Sequence, residues 1–214
     1  MEMKKTTITL FILALFTSCG VRRTVVPDST TFDEGVVKKG VRWATRNVDM
    51  PGTFAETPEC FGMLFQWNRI KGWNRDERGW WDNRHYIQAG TEWEKANDPC
   101  PQGWRVPTWE ELRSLRRVAD EWITQNGVNG RLFGTAPNQI FLPATDWHFC
   151  PYCSDANDDG DVRAGAYWSS ETHIWYNGVR QRLVHYLLFT SDFLQTRNIV
   201  PSGSLISIRC VAKN

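Results

Sequence analysis

Apolar and polar positions along this chain recur with two different periods, and the change from one to the other marks out the elements. Between Val36 and Val48 they alternate loosely, with Val41, Trp43 and Thr45 set against Arg42, Ala44 and Arg46, which predicts a strand. Pro51-Gly52 marks a turn. Gly62 to Trp67 is a short apolar run that fits a strand or a buried helical turn, and periodicity alone does not separate the two. A helical period takes over at Thr108: Leu112, Leu115, Val118, Ala119 and Trp122 share a face, while Glu111, Arg113, Arg116, Arg117 and Asp120 fall largely elsewhere. Thr108 and Glu111 have capping-box spacing, and Gly127 and Gly130 supply a stop, so one amphipathic helix is predicted over about residues 108–126. Residues 167–170, 183–189 and 205–211 read as strands between Asn, Gly and Ser turns. The fold class is therefore α+β, mainly antiparallel sheet with one clear helix and long irregular loops.

Ahead of this pattern, Lys4 and Lys5 precede an apolar run from Ile8 to Phe16, followed by Thr17-Ser18-Cys19-Gly20. A basic start, a short apolar run and small residues make residues 1–18 a secretory signal peptide, too short to span a bilayer as a helix. The cysteine placed directly after the small residues looks like a bacterial lipobox, which implies that Cys19 becomes a lipidated N-terminus and membrane anchor. Phe16 stands where that pattern usually carries leucine, so secretion without lipid stays open. Residues 19–35 read as a tether and residues 36–214 as one domain. The chain has 25 basic and 24 acidic residues, and losing residues 1–18 removes Lys4, Lys5 and Glu2, which balances the charges. A balanced domain without a basic stripe offers no electrostatic basis for binding nucleic acid. Twelve tryptophans provide large side chains for a core.

The stretch from Cys100 to Leu112 packs a cysteine, Pro101 and Pro107 around Gly103, a tryptophan and a helix start into thirteen residues, a structural corner. Two loops carry the candidate chemistry. Trp73, Trp80 and Trp81 stand among Asn, Asp, Glu and Arg in the polar stretch 72–84, where indoles can stack on sugar rings or peptide side chains, or can fold back over the core. Asp155, Asn157, Asp159 and Asp161, with Gly160, match the first half of a calcium loop. Ala166 stands where an EF-hand needs its bidentate glutamate, so the loop is either a non-EF-hand Ca²⁺ site completed by Glu171 or another distant oxygen, or a solvated turn. Catalytic patterns are lacking: there is no Gly-x-Ser-x-Gly elbow, phosphate-cradling loop or His-Glu-x-x-His, and His85, His148, His173 and His185 stand singly.

Six blocks carry a family resemblance. Gly40 to Val48, Gly62 to Asn68, Asn97 to Thr108, Phe141 to Ala144, Ala166 to Ser170 and Ser207 to Val211 occur in the order seen in the Fibrobacter succinogenes major paralogous domain family, which the chain resembles over almost its whole mature length. The resemblance implies an exported or lipid-anchored Bacteroidetes-type envelope protein with a C-type-lectin-like fold, and it implies little about activity. It also implies a disulfide between Cys100 and Cys210, which export permits. Cys60, Cys150 and Cys153 are left over. A zinc site joining them with His148 has usable ligand types but only one pair at ligand spacing, and a second disulfide among the three is preferred.

The functional expectation is a surface-anchored, non-enzymatic binding or adhesion module for a glycan or a surface protein, with contact on the Trp-rich and acidic loops. A structural envelope lipoprotein is the alternative, followed by a polysaccharide-acting enzyme, which needs two carboxylates facing a cleft. Mass spectrometry of detergent-extracted protein is expected to find an N-terminal peptide that starts at Cys19 and carries acyl chains, with Cys19→Ser abolishing the modification. An unmodified N-terminus elsewhere overturns the anchor.

Overall fold

The computed structural model describes residues 30–74, 90–145, 164–176 and 180–213. The Val36–Val48 alternation becomes a hairpin, β1 (Val36–Lys38) and β2 (Val41–Trp43), split by a turn whose residues Lys39 and Gly40 both have positive φ. The Gly62 to Trp67 run resolves as a strand, β3 (Leu64–Phe65), paired with β4 (Gly72–Trp73). β5 (Trp104–Arg105) leaves the Cys100 corner, and α1 (Trp109–Leu115) follows. Two antiparallel meanders come next: β6 (Asp120–Gln125), β7 (Val128–Thr135) and β8 (Asn138–Pro143), then β9 (Gly165–Tyr176), β10 (Arg180–Phe189) and β11 (Leu194–Pro201). The last strand, β12 (Val211–Ala212), inserts between β2 and β5 and completes a four-stranded sheet of order β1-β2-β12-β5. Mostly antiparallel sheet with one α-helix among the described residues agrees with the coarse class read from the pattern. No helix among the described residues is long and apolar enough to cross a membrane.

The expected helix over 108–126 is corrected. Its start is right, since Thr108 caps it and Glu111 closes the box, but it ends after seven residues and Asp120 already begins β6. Trp122, Ile123 and Thr124 favour a strand, and Asn126-Gly127, both at positive φ, form the tight turn that reverses β6 into β7. Gly127 is therefore a hairpin glycine, and the helical face and the strand face coincide at Leu112, Leu115, Val118 and Trp122 because all four reach the same apolar cluster. The expected strand over 205–211 is also corrected. Only Val211 and its successor join a ladder, while Ile206 bridges Phe65 and Ser207 bridges Tyr167. The Val48 and Ala44 amides donate to the Ile208 and Cys210 carbonyls, so the segment stitches neighbouring elements together instead of running along one strand.

The core has two apolar clusters. One gathers Phe54, Phe65, Trp67, Trp104, Trp168 and Ile206; the other gathers Trp43, Leu112, Leu115, Phe133, Tyr167 and Phe189. A polar node joins the elements around them. Arg209 is fully buried, and its guanidinium donates to Asn47 Oδ1 at 2.9 Å and to the Ala44 and Phe141 carbonyls at 3.1 Å. The Tyr167 hydroxyl donates to the Pro143 carbonyl at 2.9 Å and accepts from Asn47 Nδ2 at 3.3 Å. Burial pushes the Tyr167 phenol up to about 12, so it stays a neutral donor at physiological pH. Burial pulls Arg209 below its ordinary value, opposed by the charges and hydrogen bonds around it.

Next to this node, Cys210 forms the disulfide with Cys100, with Cα atoms 6.1 Å apart, as the resemblance implies. Cys60 is disulfide-bonded as well. A cysteine so bonded is not a thiolate ligand for zinc. The chain is fastened before β1: Phe54 N–H donates to the Thr30 carbonyl, and the Asp33 carboxylate accepts from the Gly35 and Thr45 amides and the Thr45 hydroxyl and pairs with Arg46.

Arg209→Met leaves Asn47 Oδ1 and two carbonyls buried without their donor, and is expected to cost about 3 to 5 kcal/mol of stability. Tyr167→Phe removes one hydroxyl and is expected to cost about 1 to 2 kcal/mol. Urea unfolding midpoints of the oxidised protein check both, and near-equal losses contradict the central role of Arg209.

Candidate functional site

The Cys100 corner is built from local rules. Trp104 N–H donates to the Pro101 carbonyl across a turn whose third residue, Gly103, has φ 86°, a conformation that favours glycine. Asp98 sits inside the turn, its Oδ1 accepting from Cys100 N–H at 2.9 Å and its Oδ2 from Val106 N–H at 3.4 Å. Burial pushes the Asp98 carboxyl up, with those two hydrogen bonds partly opposing it. Arg105 forks onto Glu111, at 2.8 Å from one nitrogen and 2.6 Å from the other. The same glutamate accepts from Thr108 N–H at 2.7 Å, so one carboxylate closes the helix cap and fixes the guanidinium. Burial acts to raise Glu111, but its bonds to Arg105 and Thr108 prevail and hold it below the usual carboxylate value; the bonds to Glu111 likewise raise Arg105.

A second segment is laid against this corner by long-range pairing. Glu92 bridges Glu171 of β9, Trp93 N–H donates to the Ser170 carbonyl, and Ser170 N–H donates to the Pro107 carbonyl. Glu171 Oε2 accepts from Trp109 N–H at the first turn of α1, and Trp109 stacks on His185 with ring centroids 4.3 Å apart. Trp93 leans on buried Trp67 at 5.5 Å and gives its indole N–H to the Asn97 carbonyl. Asn68, at positive φ, accepts from Glu94 N–H and steadies the short 3₁₀ turn Lys95–Asn97 that carries that carbonyl.

Between the two segments lies an open cleft of about 230 Å³ walled by Glu92, Trp93, Asp98, Arg105, Thr108, Ser170 and Glu171, with Val106 at its side. An aromatic ring, three carboxylates and two hydroxyls in one depression can bind a polar ligand with an apolar face. Among the described residues, no group of three or more His, Cys, Asp or Glu side chains is placed to hold a metal ion.

The residues expected to bind from sequence fall partly elsewhere. Trp73 lies on β4, half-buried, with Lys71 Nζ 3.8 Å above its ring, and it is not in the cleft wall. Trp80 and Trp81, the acidic loop Asp155, Asn157, Asp159 and Asp161, and the lipidation candidate Cys19 lie outside the described residues. Sequence reading missed Glu92, Trp93 and Glu171 as one site because they meet only through the bridge between residues 92 and 171. The usable signal is a tryptophan flanked by Glu92 and Glu94, a polar setting for so large an apolar side chain. Comparison with family models, with curated proteins and with solved structures finds no match for this chain.

The depressed Glu111 value carries a sign. A carboxylate whose folded pKa lies below its unfolded value stabilises the fold above about pH 4.5, and that contribution is lost as the pH falls through the lower folded value. Glu111→Gln is expected to cost about 1 to 3 kcal/mol at neutral pH and to flatten the acid limb of the stability curve. Urea midpoints measured from about pH 6 to about pH 3 check it, and parallel curves for the two proteins count against the pairing.

Proposed function

We propose that this chain is a non-enzymatic binding module of the bacterial cell envelope, anchored through Cys19, whose ligand is a surface glycan or a surface protein. The observation that carries this reading is the cleft beside the Cys100 corner, where Trp93 presents an aromatic wall among hydrogen-bonding side chains. Three of its charged groups also hold the fold, Arg105 through Glu111, Asp98 through two amides and Glu171 through one oxygen at the start of α1, while Glu92 is exposed at the cleft.

The family resemblance and the C-type-lectin-like fold belong to the same proposal. In its favour, four of the six blocks meet at the Arg209 node through Ala44 and Asn47, Phe141 and Pro143, Tyr167, and Arg209 itself. A fifth is tied in by the Cys100–Cys210 disulfide. One buried network that joins these blocks is what a shared fold requires.

A combined glycan and surface-protein array tests the reading, run with the wild type, Trp93→Ala and Trp73→Ala after each variant has passed a thermal-unfolding check. A ligand is expected whose binding falls about ten-fold or more on loss of Trp93, with Trp73 adding a smaller loss if its loop extends the surface. A ligand indifferent to Trp93 moves the site away from the cleft, and an array without any hit removes the binding module in favour of a structural envelope protein.

A further inference from the structure

The hydrogen-bonding balance of the cleft wall narrows its ligand. Most of its donors are committed: both terminal nitrogens of Arg105 reach Glu111, the Trp93 indole N–H goes to Asn97, and the Ser170, Trp93, Val106 and Thr108 amides all have acceptors within the fold. The side-chain donors that remain in the wall are the Thr108 and Ser170 hydroxyls and the Arg105 N–H groups that neither Glu111 nor the Val106 carbonyl takes. Its acceptors are in surplus. Glu92 is exposed and has no cationic partner among the described residues, and Glu171 offers one carboxylate oxygen beyond the one that takes Trp109 N–H. Asp98 uses each oxygen once, which leaves lone pairs on both.

The charges lean the same way. Three carboxylates face the cleft against one guanidinium, and that guanidinium is neutralised by Glu111 from outside the wall. Glu92 and Glu171 stand opposite one another across an antiparallel bridge, so a positive group between them meets two carboxylates at once. A sugar hydroxyl both donates and accepts and would leave this acceptor-rich wall partly unmatched. A guanidinium has five donors in a plane and no acceptor, and it stacks on indole rings.

We infer that the cleft receives an arginine side chain of a protein partner, its guanidinium held between Glu92 and Glu171 with Trp93 against its flat face; this rests on the cleft being the ligand site. The partner is thereby an exposed basic segment of a surface protein rather than a neutral glycan.

Calorimetry on the full mature protein tests this with a short peptide carrying one arginine between glycines and its counterpart carrying citrulline, which keeps the shape and removes the charge. The arginine peptide is expected to bind and the citrulline peptide to bind about ten-fold more weakly or not at all. Glu92→Gln changes an exposed side chain outside the capping network, and is expected to weaken the arginine peptide about five-fold without moving the unfolding midpoint. Equal binding of the two peptides, or no effect of Glu92→Gln, overturns the inference. A neutral oligosaccharide that binds in a Trp93-dependent way while the arginine peptide does not leaves the cleft as the ligand site and sinks only the arginine. If neither probe responds to Trp93→Ala, both readings fall.

Discussion

A guanidinium with no access to solvent is the constraint to which the rest of this fold answers. Arg209 cannot shed its proton at any ordinary pH, and a buried charge is tolerated only where its donors are met. Here one side-chain oxygen and two backbone carbonyls meet them, contributed by the loop after β2 and by β8. The partners are not interchangeable. Asn47 must present its oxygen to Arg209 and its amide to Tyr167, which sets its orientation, and Tyr167 must then donate onward to Pro143. Moving any of these four segments by an ångström strands a buried polar group, so the node selects one relative placement from the many that apolar packing alone would accept. The Cys100–Cys210 disulfide extends that placement to the corner.

The cleft inherits its shape from this arrangement. One wall hangs on the corner, held by Asp98 within the turn and by Glu111 bridging Arg105 to the cap of α1. The other wall, Glu92 and Trp93, rests on β9 through backbone pairing and on Trp67 through ring contact. Neither wall contains the polar node, yet both are attached to elements that it positions: β9 through Tyr167, and β5 through β12 beside Arg209. The residues of the polar node and the residues that line the cleft are thus separate sets on shared supports.

How much of this was legible follows from how far apart the interacting residues lie. The capping box was readable because Thr108 and Glu111 are three positions apart, and the Gly103 turn because Gly103 lies within a single corner. The extent of the helix was not. Leu112, Leu115, Val118 and Trp122 keep helical spacing although the last belongs to a strand, since one apolar cluster receives both α1 and β6. The Asn126-Gly127 turn was the contrary local signal, and it outweighs periodicity because two adjacent positive-φ residues cannot continue a helix. The disulfide came from resemblance, not from spacing, and lies 110 residues across. The cleft was illegible because its walls meet through a bridge between residues 92 and 171, and no local pattern records which edge a loop will pair with.

The position of β12 has a bearing on the order in which the chain can assemble. The strand lies inside the sheet, between β2 and β5, and Arg209 and Cys210 immediately precede it. A chain made from its N-terminus therefore lacks its central strand, its buried cation and half of a disulfide until residues beyond 208 have emerged. The earlier meanders can form their hairpins, but the four-stranded sheet stays open between β2 and β5. Such an order of assembly leaves the four-stranded sheet unclosed, with β2 and β5 both lacking their partner β12, until the residues after 208 have been made.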